Sequence, residues 1–263
     1  MVKNKDDELV FCLSRDRFDE LCSYCGARFD SWFLSGDVDA GRRLLGRLID
    51  LFEFEESKAV RVRRTKKSLL VKDMDAVPPF GFCRRGACEC DMRYLQLIPY
   101  MVCTYDGLSL GDDLWHILSY WRSESSGEKR LIGGCSVGIG GHLNVDDFVE
   151  SDRSAGFMGC LKTGATREFF EEIRLPLSEK GFFPFVSGNH RFLGFILDDS
   201  DDVGSVHLGF VFEVFLPSEN IKLRDPALRS IEFRTLQDQL LTNFDHMESW
   251  SQIILRYFRE TGQ

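Results

Sequence analysis

Arg167-Glu168-Phe169-Phe170-Glu171-Glu172 is the stretch on which the reading of this chain turns. At 3.6 residues per turn, Glu168, Glu171 and Glu172 share one face of a helix, because positions i, i+3 and i+4 are surface neighbours. Working outward, Phe157, Leu161, Ala165, Phe169 and Ile173 recur every four residues, so the spacing predicts a helix over residues 156–174 with an apolar stripe beside the acidic one. Three carboxylates on one face repel each other unless a cation joins them. Hard divalent ions such as Mg2+ or Mn2+ take several oxygen ligands and keep part of their water. The plain alternative is a solvated helix face, the usual meaning of an exposed Glu-Glu pair.

Upstream, Ser136-Val137-Gly138-Ile139-Gly140-Gly141-His142 reads as a glycine-rich strand end, where missing side chains let backbone carbonyls approach a ligand. Short apolar segments at 95–104, 114–121, 192–197 and 206–216 read as strands. Residues 95–121 form a hairpin through Tyr105-Asp106-Gly107, and 123–129 is a second loop. The first ninety residues predict a strand at 9–13 and helices at 17–33 and 40–54, and the C-terminus predicts a helix at 247–259. Strands interleaved with helices place the chain in the α/β or α+β class. The basic run Lys58, Arg61, Arg63, Arg64, Lys66 and Lys67 reads as a solvated face.

The 263 residues suffice for one large domain, or one domain with an appendage, and 43% hydrophobic content argues against disorder. With 42 acidic against 33 basic residues the net charge is −9, which makes a nucleic-acid polymer a poor partner. No run approaches the roughly 18–20 apolar residues of a membrane span, and the first residues lack the apolar region of a signal peptide, so no membrane association and a cytoplasmic location are expected. Nine cysteines, an odd number, fit reduced thiols. Cys22-x-x-Cys25 with two of Cys83, Cys88 and Cys90 is a candidate zinc site, weighed against ordinary reduced cysteines.

The order of strand, Gly-Gly, loop, Arg-Glu-x-x-Glu-Glu helix and further strands resembles the Nudix hydrolase superfamily, whose box reads G-x5-E-x7-R-E-U-x-E-E-x-G-U with U apolar. Arg167, Glu168, Phe169, Glu171, Glu172 and Leu175 match, with Gly141 as the opening glycine. Three departures stand out: the 26 positions from Gly141 to Arg167 exceed the pattern's spacing, Gly159 replaces the upstream glutamate, and Arg174 replaces the closing glycine. Gln96-Leu97-Ile98-Pro99-Tyr100, Ser136 to His142, Val206-His207-Leu208-Gly209 and Glu248-Ser249-Trp250-Ser251 look like a branch known as predicted Nudix phosphoesterases, which shares the lengthened box. This resemblance covers residues 80–260, with residues 1–80 only loosely similar.

The resemblance implies an α/β fold, a Nudix-like α/β/α sandwich with a mixed sheet and an N-terminal α+β extension. Residues 1–80 would be the extension packed on the core, and 81–263 the hydrolase domain. It implies Mg2+-dependent hydrolysis of a diphosphate linkage in a small nucleoside diphosphate derivative, with Mn2+ as a substitute ion. Glu168, Glu171, Glu172 and the Gly140 carbonyl would hold metal, while Glu168 as base and Arg167 as its orienter would serve catalysis. Arg122, His142 and His207 are candidate substrate contacts, and Asp198, Asp199, Asp201, Asp202 and Glu213 are candidates for a later acid. Phe182, Phe183, Phe185 and Tyr100 are candidates for stacking on a base, though more often such residues are core. A homodimer is compatible with the family. A catalytically weakened nucleotide-binding module or regulator is the competing reading, and isomerase chemistry on the same fold a third.

Overall fold

The computed structural model describes residues 5–27, 38–59, 80–106, 115–123, 133–150, 156–176, 181–186, 188–200, 202–226 and 228–262. In chain order the elements are β1 (Leu9–Ser14), α1 (Arg15–Cys25), α2 (Val38–Ala59), β2 (Phe80–Arg84), α3 (Arg85–Cys88), β3 (Tyr94–Asp106), β4 (Trp115–Arg122), β5 (Cys135–Ser136), β6 (Gly138–Gly140), α4 (Val145–Glu150), α5 (Gly156–Glu172), β7 (Ile173–Arg174), β8 (His190–Ile196), β9 (His207–Phe215), β10 (Lys222–Leu223), β11 (Leu228–Thr235), α6 (Leu236–Thr242) and α7 (Ser249–Thr261). The class is α/β, as expected. Among the described residues no helix is long and apolar enough to cross a membrane.

The chain divides into two compact units that do not follow chain order: residues 1–99, 141–164 and 194–210 form one, and 100–140, 165–193 and 211–263 the other. The sequence-based division at 80/81 falls inside β2, between Phe80 and Gly81. Within the first unit β1 lies between two antiparallel partners: β2, from Leu9↔Arg84 to Leu13↔Phe80, and β3, from Cys12↔Gln96 to Ser14↔Tyr94. This unit accounts for much of the unusual phenylalanine content. The Phe11 ring lies 4.4–5.8 Å from those of Phe52, Phe80, Phe82 and Phe148. Phe157 meets Phe52, Phe80 and Phe210 at 5.2–5.9 Å. Tilted, stacked and edge-on rings of this kind add to the burial of their apolar area.

In the second unit β3 pairs antiparallel with β6 at Tyr100↔Gly140 to Val102↔Gly138, and with β4 at Thr104↔Ile117 to Asp106↔Trp115. The hairpin read across residues 95–121 is therefore present, although its tip lies outside the described residues. β4 pairs with β5 and β11, and one parallel bridge joins Cys135 to Met247. The core of this unit gathers Met101, Leu118, Tyr120, Ile139, Phe169 and Val214, all buried.

Helix ends differ from the sequence expectation for local reasons. The helix expected over 17–33 ends at Cys25, because Gly26 adopts φ 67° and its N–H turns back to the carbonyls of α1, a left-handed cap that glycine takes without strain. The helix expected over 156–174 stops at Glu172. Ile173 and Arg174 pair instead with Leu223 and Lys222, and the Arg224 N–H donates to the Glu172 carbonyl at 2.8 Å. α7 extends past the expected Arg259 to Thr261, where Gly262 at φ 70° ends it, and it buries Ile253, Ile254, Leu255 and Phe258. The basic residues from Arg61 to Lys67 lie outside the described residues, as does the side chain of Lys58.

Candidate functional site

The last turn of α5 carries the box carboxylates into different surroundings. Phe169, in the same turn, is fully buried in the core and fixes the helix face. A step of about 100° per residue then turns Glu172 inward and leaves Glu171 facing solvent, its side chain 59% exposed. Arg167 Nη1 donates to Glu168 Oε1 at 2.6 Å and stands 3.6 Å from Glu171 Oε2. Arg167 is thus paired with Glu168 and stands near Glu171. The three carboxylates share the helix end, but they do not bring three ligand atoms within 4.8 Å of one another among the described residues.

Glu172 is the unusual member. Its Oε2 is buried with no hydrogen-bond partner among the described residues. Burial pushes its carboxyl up to about 8, with Glu168, Asp225 and Glu248 adding negative potential and Arg122 acting against them. A buried carboxylate with an unsatisfied oxygen is costly to ionise unless a cation meets it. Arg122, at the end of β4, supplies part of that charge: its Nε is 3.8 Å from Glu248 Oε2, and its guanidinium carbon is 5.7 Å from the Tyr120 ring centroid. Burial pulls against its charged form, but Tyr120, Glu248 and Glu172 together hold its pKa above the usual arginine range.

The glycine strand is held by Ser251 of α7 and by Glu248, the residue just before that helix. Val137 N–H donates to Ser251 Oγ at 3.0 Å, and the Glu248 N–H donates to the Cys135 carbonyl at 3.1 Å. The Ser136 hydroxyl donates to Glu248 Oε1 and, at 3.1 Å, to the Gly138 carbonyl, which also accepts from the Tyr120 hydroxyl at 2.6 Å. Gly138 has to be glycine because a Cβ there would stand 1.8 Å from Cζ of Tyr100. Gly140, whose carbonyl was the expected fourth ligand, ends β6 opposite Tyr100. Glu248 carries no chemical role in the sequence reading, because an acid in front of a Ser-Trp-Ser-Gln-Ile-Ile-Leu helix looks like an ordinary helix start.

The other expected residues are distributed between the two units. His142 and His207, proposed separately as substrate contacts, come together in the first unit with Nε2 to Nε2 at 3.1 Å. In that unit Asp199 is engaged by Arg15 at 2.7–2.8 Å, and Asp198 is buried with Oδ1 accepting from Ser200 N–H and Oδ2 lacking a described partner. Asp202 contributes its backbone carbonyl to Ser205, and Asp201 lies outside the described residues. In the second unit Glu213 is buried, pairs with Arg191 and accepts from Thr104 Oγ1 at 3.0 Å. Tyr100 is core, with its hydroxyl 3.3 Å from Ser251 Oγ. Phe182 and Phe185 pack against the core, and Phe183 is half exposed.

The cysteines group differently from the expected pairing. Cys83 and Cys88 do meet, but their companion is Cys12 on β1, and Cys12 Sγ donates to Cys88 Sγ at 3.5 Å. Cys22 and Cys25 are buried on α1 outside that group, and Cys90 is exposed. The strand register explains the substitution: Val10 opposite Cys83 and Cys12 two residues along put both thiols on one face of the β1–β2 ladder. A Cys-x-x-Cys spacing on a helix carried no information about that register.

No protein-family model matches the chain. YmaB of Bacillus subtilis (strain 168) is 28% identical over 177 residues, which are 65% of this chain and 75% of YmaB. Among solved structures, a Nudix hydrolase from Alicyclobacillus acidocaldarius aligns with 62% of this chain and 90% of its own at 15% identity and a TM-score of 0.47. Tm1382, a candidate Nudix hydrolase, aligns at 21% identity and a TM-score of 0.60 over 97% of this chain and 100% of its own. At that coverage the likeness extends beyond residues 80–260, to which the sequence resemblance is confined. From the box helix and the glycine strand to the likeness with Tm1382, the observations agree that the chain has the Nudix fold.

Proposed function

We propose that the protein is a divalent-metal-dependent Nudix-type hydrolase that cleaves a diphosphate linkage in a small nucleoside diphosphate derivative. The observation that carries this reading is Glu172, a buried carboxylate with an orphaned oxygen at the end of the box helix, with Glu168 adding to its negative surroundings. Such a group fits a divalent cation and is otherwise expensive to keep ionised. Glu168, Glu171, Glu172 and the Gly140 carbonyl are the residues that would hold the ion, Mg2+ with Mn2+ as a substitute. When bound, that ion neutralises phosphate oxygens and lowers the pKa of a bound water.

The chain's own residues have definable parts in this reading. Arg167 holds Glu168 by a 2.6 Å hydrogen bond and fixes the direction of the carboxylate that would accept the water's proton. Arg122 keeps Glu172 from being an isolated buried charge. Tyr120, Ser136 and Ser251 hold the glycine strand in place through its carbonyl and amide groups. The proposed setting is cytoplasmic with a small-molecule substrate, and a homodimer is the assembly that size measurement in solution should test.

The test is a panel of nucleoside triphosphates, nucleotide sugars, dinucleoside polyphosphates and NAD-like dinucleotides incubated with Mg2+ or Mn2+, with products separated by ion exchange. Expected is metal-dependent product from at least one class, lost in Glu171→Gln/Glu172→Gln. A second reading, a nucleotide-binding module without turnover, is favoured by Gly159 at the box's upstream glutamate position and by Arg167 engaging both Glu168 and Glu171. Thermal stabilisation by a panel compound without product would select it.

A further inference from the structure

His142 and His207 reach each other from separate parts of the chain, and the backbone around each is closely specified. His142 follows the Gly140-Gly141 strand end, and the next residue, Leu143, is locked by its N–H to the Leu97 carbonyl at 3.1 Å and by its carbonyl to Phe11 N–H at 2.8 Å. His207 opens β9 directly after a 3-10 turn, Gly204–Val206. That turn packs so tightly that a Cβ on Gly204 would sit 2.1 Å from the Asp198 carbonyl oxygen. Glu89, immediately after α3, is the third member. One ligand atom from each of Glu89, His142 and His207 lies within 4.8 Å of the others.

The hydrogen bonds define the tautomer of His207. Its Nδ1 is 2.6 Å from the Val203 carbonyl, an acceptor only, so Nδ1 carries the proton and the lone pair is on Nε2. That is the arrangement of a metal-ligating histidine, whose other ring nitrogen donates to a backbone carbonyl and thereby fixes both ring orientation and basicity. His142 Nε2 stands 3.1 Å from that lone pair. Two nitrogens each about 2.0–2.1 Å from one tetrahedral zinc ion would be about 3.3 Å apart, so the rings need only a small adjustment to share an ion. Glu89 is held in place by Arg85, whose Nε donates to Glu89 Oε1 at 3.1 Å while its Nη1 lies 3.7 Å from Glu8.

We propose that Glu89, His142 and His207 form a binding site for a zinc-class divalent transition-metal ion, separate in its ligands from the box glutamates. Two imidazoles and a carboxylate are the donor set that suits zinc and its neighbours and leaves a coordination position for water or an anionic oxygen. The oxygen-only set of the box helix instead suits Mg2+ or Mn2+. The two sites are thus distinguishable by ion preference as well as by variant.

The test is a cobalt titration of the full-length protein after chelator treatment, followed by visible absorption and by isothermal calorimetry, with Zn2+ competition. Expected is one equivalent of Co2+ with the intense visible bands of low-coordinate nitrogen and oxygen ligation and without thiolate charge-transfer absorption, beside any ion on the oxygen-only box set, which adds only weak bands. It should be displaced by Zn2+, retained in Glu171→Gln/Glu172→Gln, and weakened at least about 100-fold in His142→Ala, His207→Ala and Glu89→Gln. Circular dichroism identifies any unfolded variant, and Glu89→Gln, at a partly exposed position, keeps the test open should a histidine variant fail to fold. Unchanged binding in folded His142→Ala or Glu89→Gln overturns the proposal. So does a band with thiolate charge transfer that disappears in Cys12→Ser, which would place the ion at the cysteine group. Because binding rather than turnover is read, the result does not depend on whether the diphosphate hydrolase reading stands.

Discussion

Arg122 and Glu248 form an ion pair, Nε to Oε2 at 3.8 Å, with both side chains largely withdrawn from solvent. The pair ties the end of β4 to the residue preceding α7, and Glu248 also receives the Ser136 hydroxyl. Glu248→Ala would leave Arg122 buried with less negative charge beside it and would remove one of the two acceptors of the Ser136 hydroxyl. Loss of about 3–5 kcal/mol is expected for breaking such a pair, while Glu248→Gln, which keeps an acceptor oxygen, should cost less. Urea unfolding of the two variants beside wild type checks the order, and equal stability of all three would remove the pair from the energetics.

Glu172 makes the metal-free protein sensitive to pH in a stated direction. Its pKa is raised in the fold, to about 8, above the ordinary 4.5, so between these values the folded state binds more protons than the unfolded state. Stability contributed by the protonated group is present at low pH and is lost as pH rises toward 8. In chelator the melting temperature should fall across that window, and Glu172→Gln should flatten the fall. Saturating Mg2+ should reduce it too, since a bound cation favours the ionised form. A melting profile with the same slope in Glu172→Gln would reject this assignment.

The last turn of α5 was legible because local spacing determines which residues share a helix face. The strands around 95–104, 114–121, 192–197 and 206–216 were legible for a similar reason: they are apolar runs bounded by turn residues. β11 was not. Its Arg229, Glu232 and Arg234 alternate with Ile231 and Phe233 only after an irregularity between Arg229 and Glu232, where Ser230 takes φ 53°. Pairing with β4, which no local pattern announces, makes it a strand. The groupings of Cys12 with Cys83 and Cys88, and of Glu89 with His142 and His207, depend on register and chain crossing in the same way. The charge around Glu172 was hidden for a further reason, since burial rather than residue type distinguishes it from Glu171.

Two glycines predict opposite responses to alanine. At Gly138 the added methyl would collide with the Tyr100 ring, whose Cζ is 1.8 Å from the Cβ position, across the β3–β6 ladder that fixes both residues. Gly138→Ala should cost about 3 kcal/mol or more, in the range of severe overpacking. Gly46 lies in the middle of α2, exposed, with nothing within 4 Å of its Cβ position. Gly46→Ala should stabilise by about 0.8–1 kcal/mol through helix propensity. Thermal melts of both single variants decide the matter, and a neutral Gly138→Ala would show that Tyr100 can move aside.

Cutting the chain between α2 and β2 should not release the N-terminal segment. β1 contributes five register pairs to β2, from Leu9↔Arg84 to Leu13↔Phe80, and three to β3. The Phe11 and Phe80 rings add a stacked contact at 5.5 Å, and Phe11 and Phe52 an edge contact at 5.8 Å, so side chains from both sides of the cut share one apolar cluster. With a site-specific protease sequence inserted at residue 70, cleavage should yield two bands in denaturing electrophoresis and a single species of intact size in size-exclusion chromatography. Separation of a folded 1–70 piece would instead establish it as an independent domain. Association that persists in the cleaved protein but fails in Phe11→Ala would locate the linkage in the phenylalanine cluster rather than in strand pairing alone.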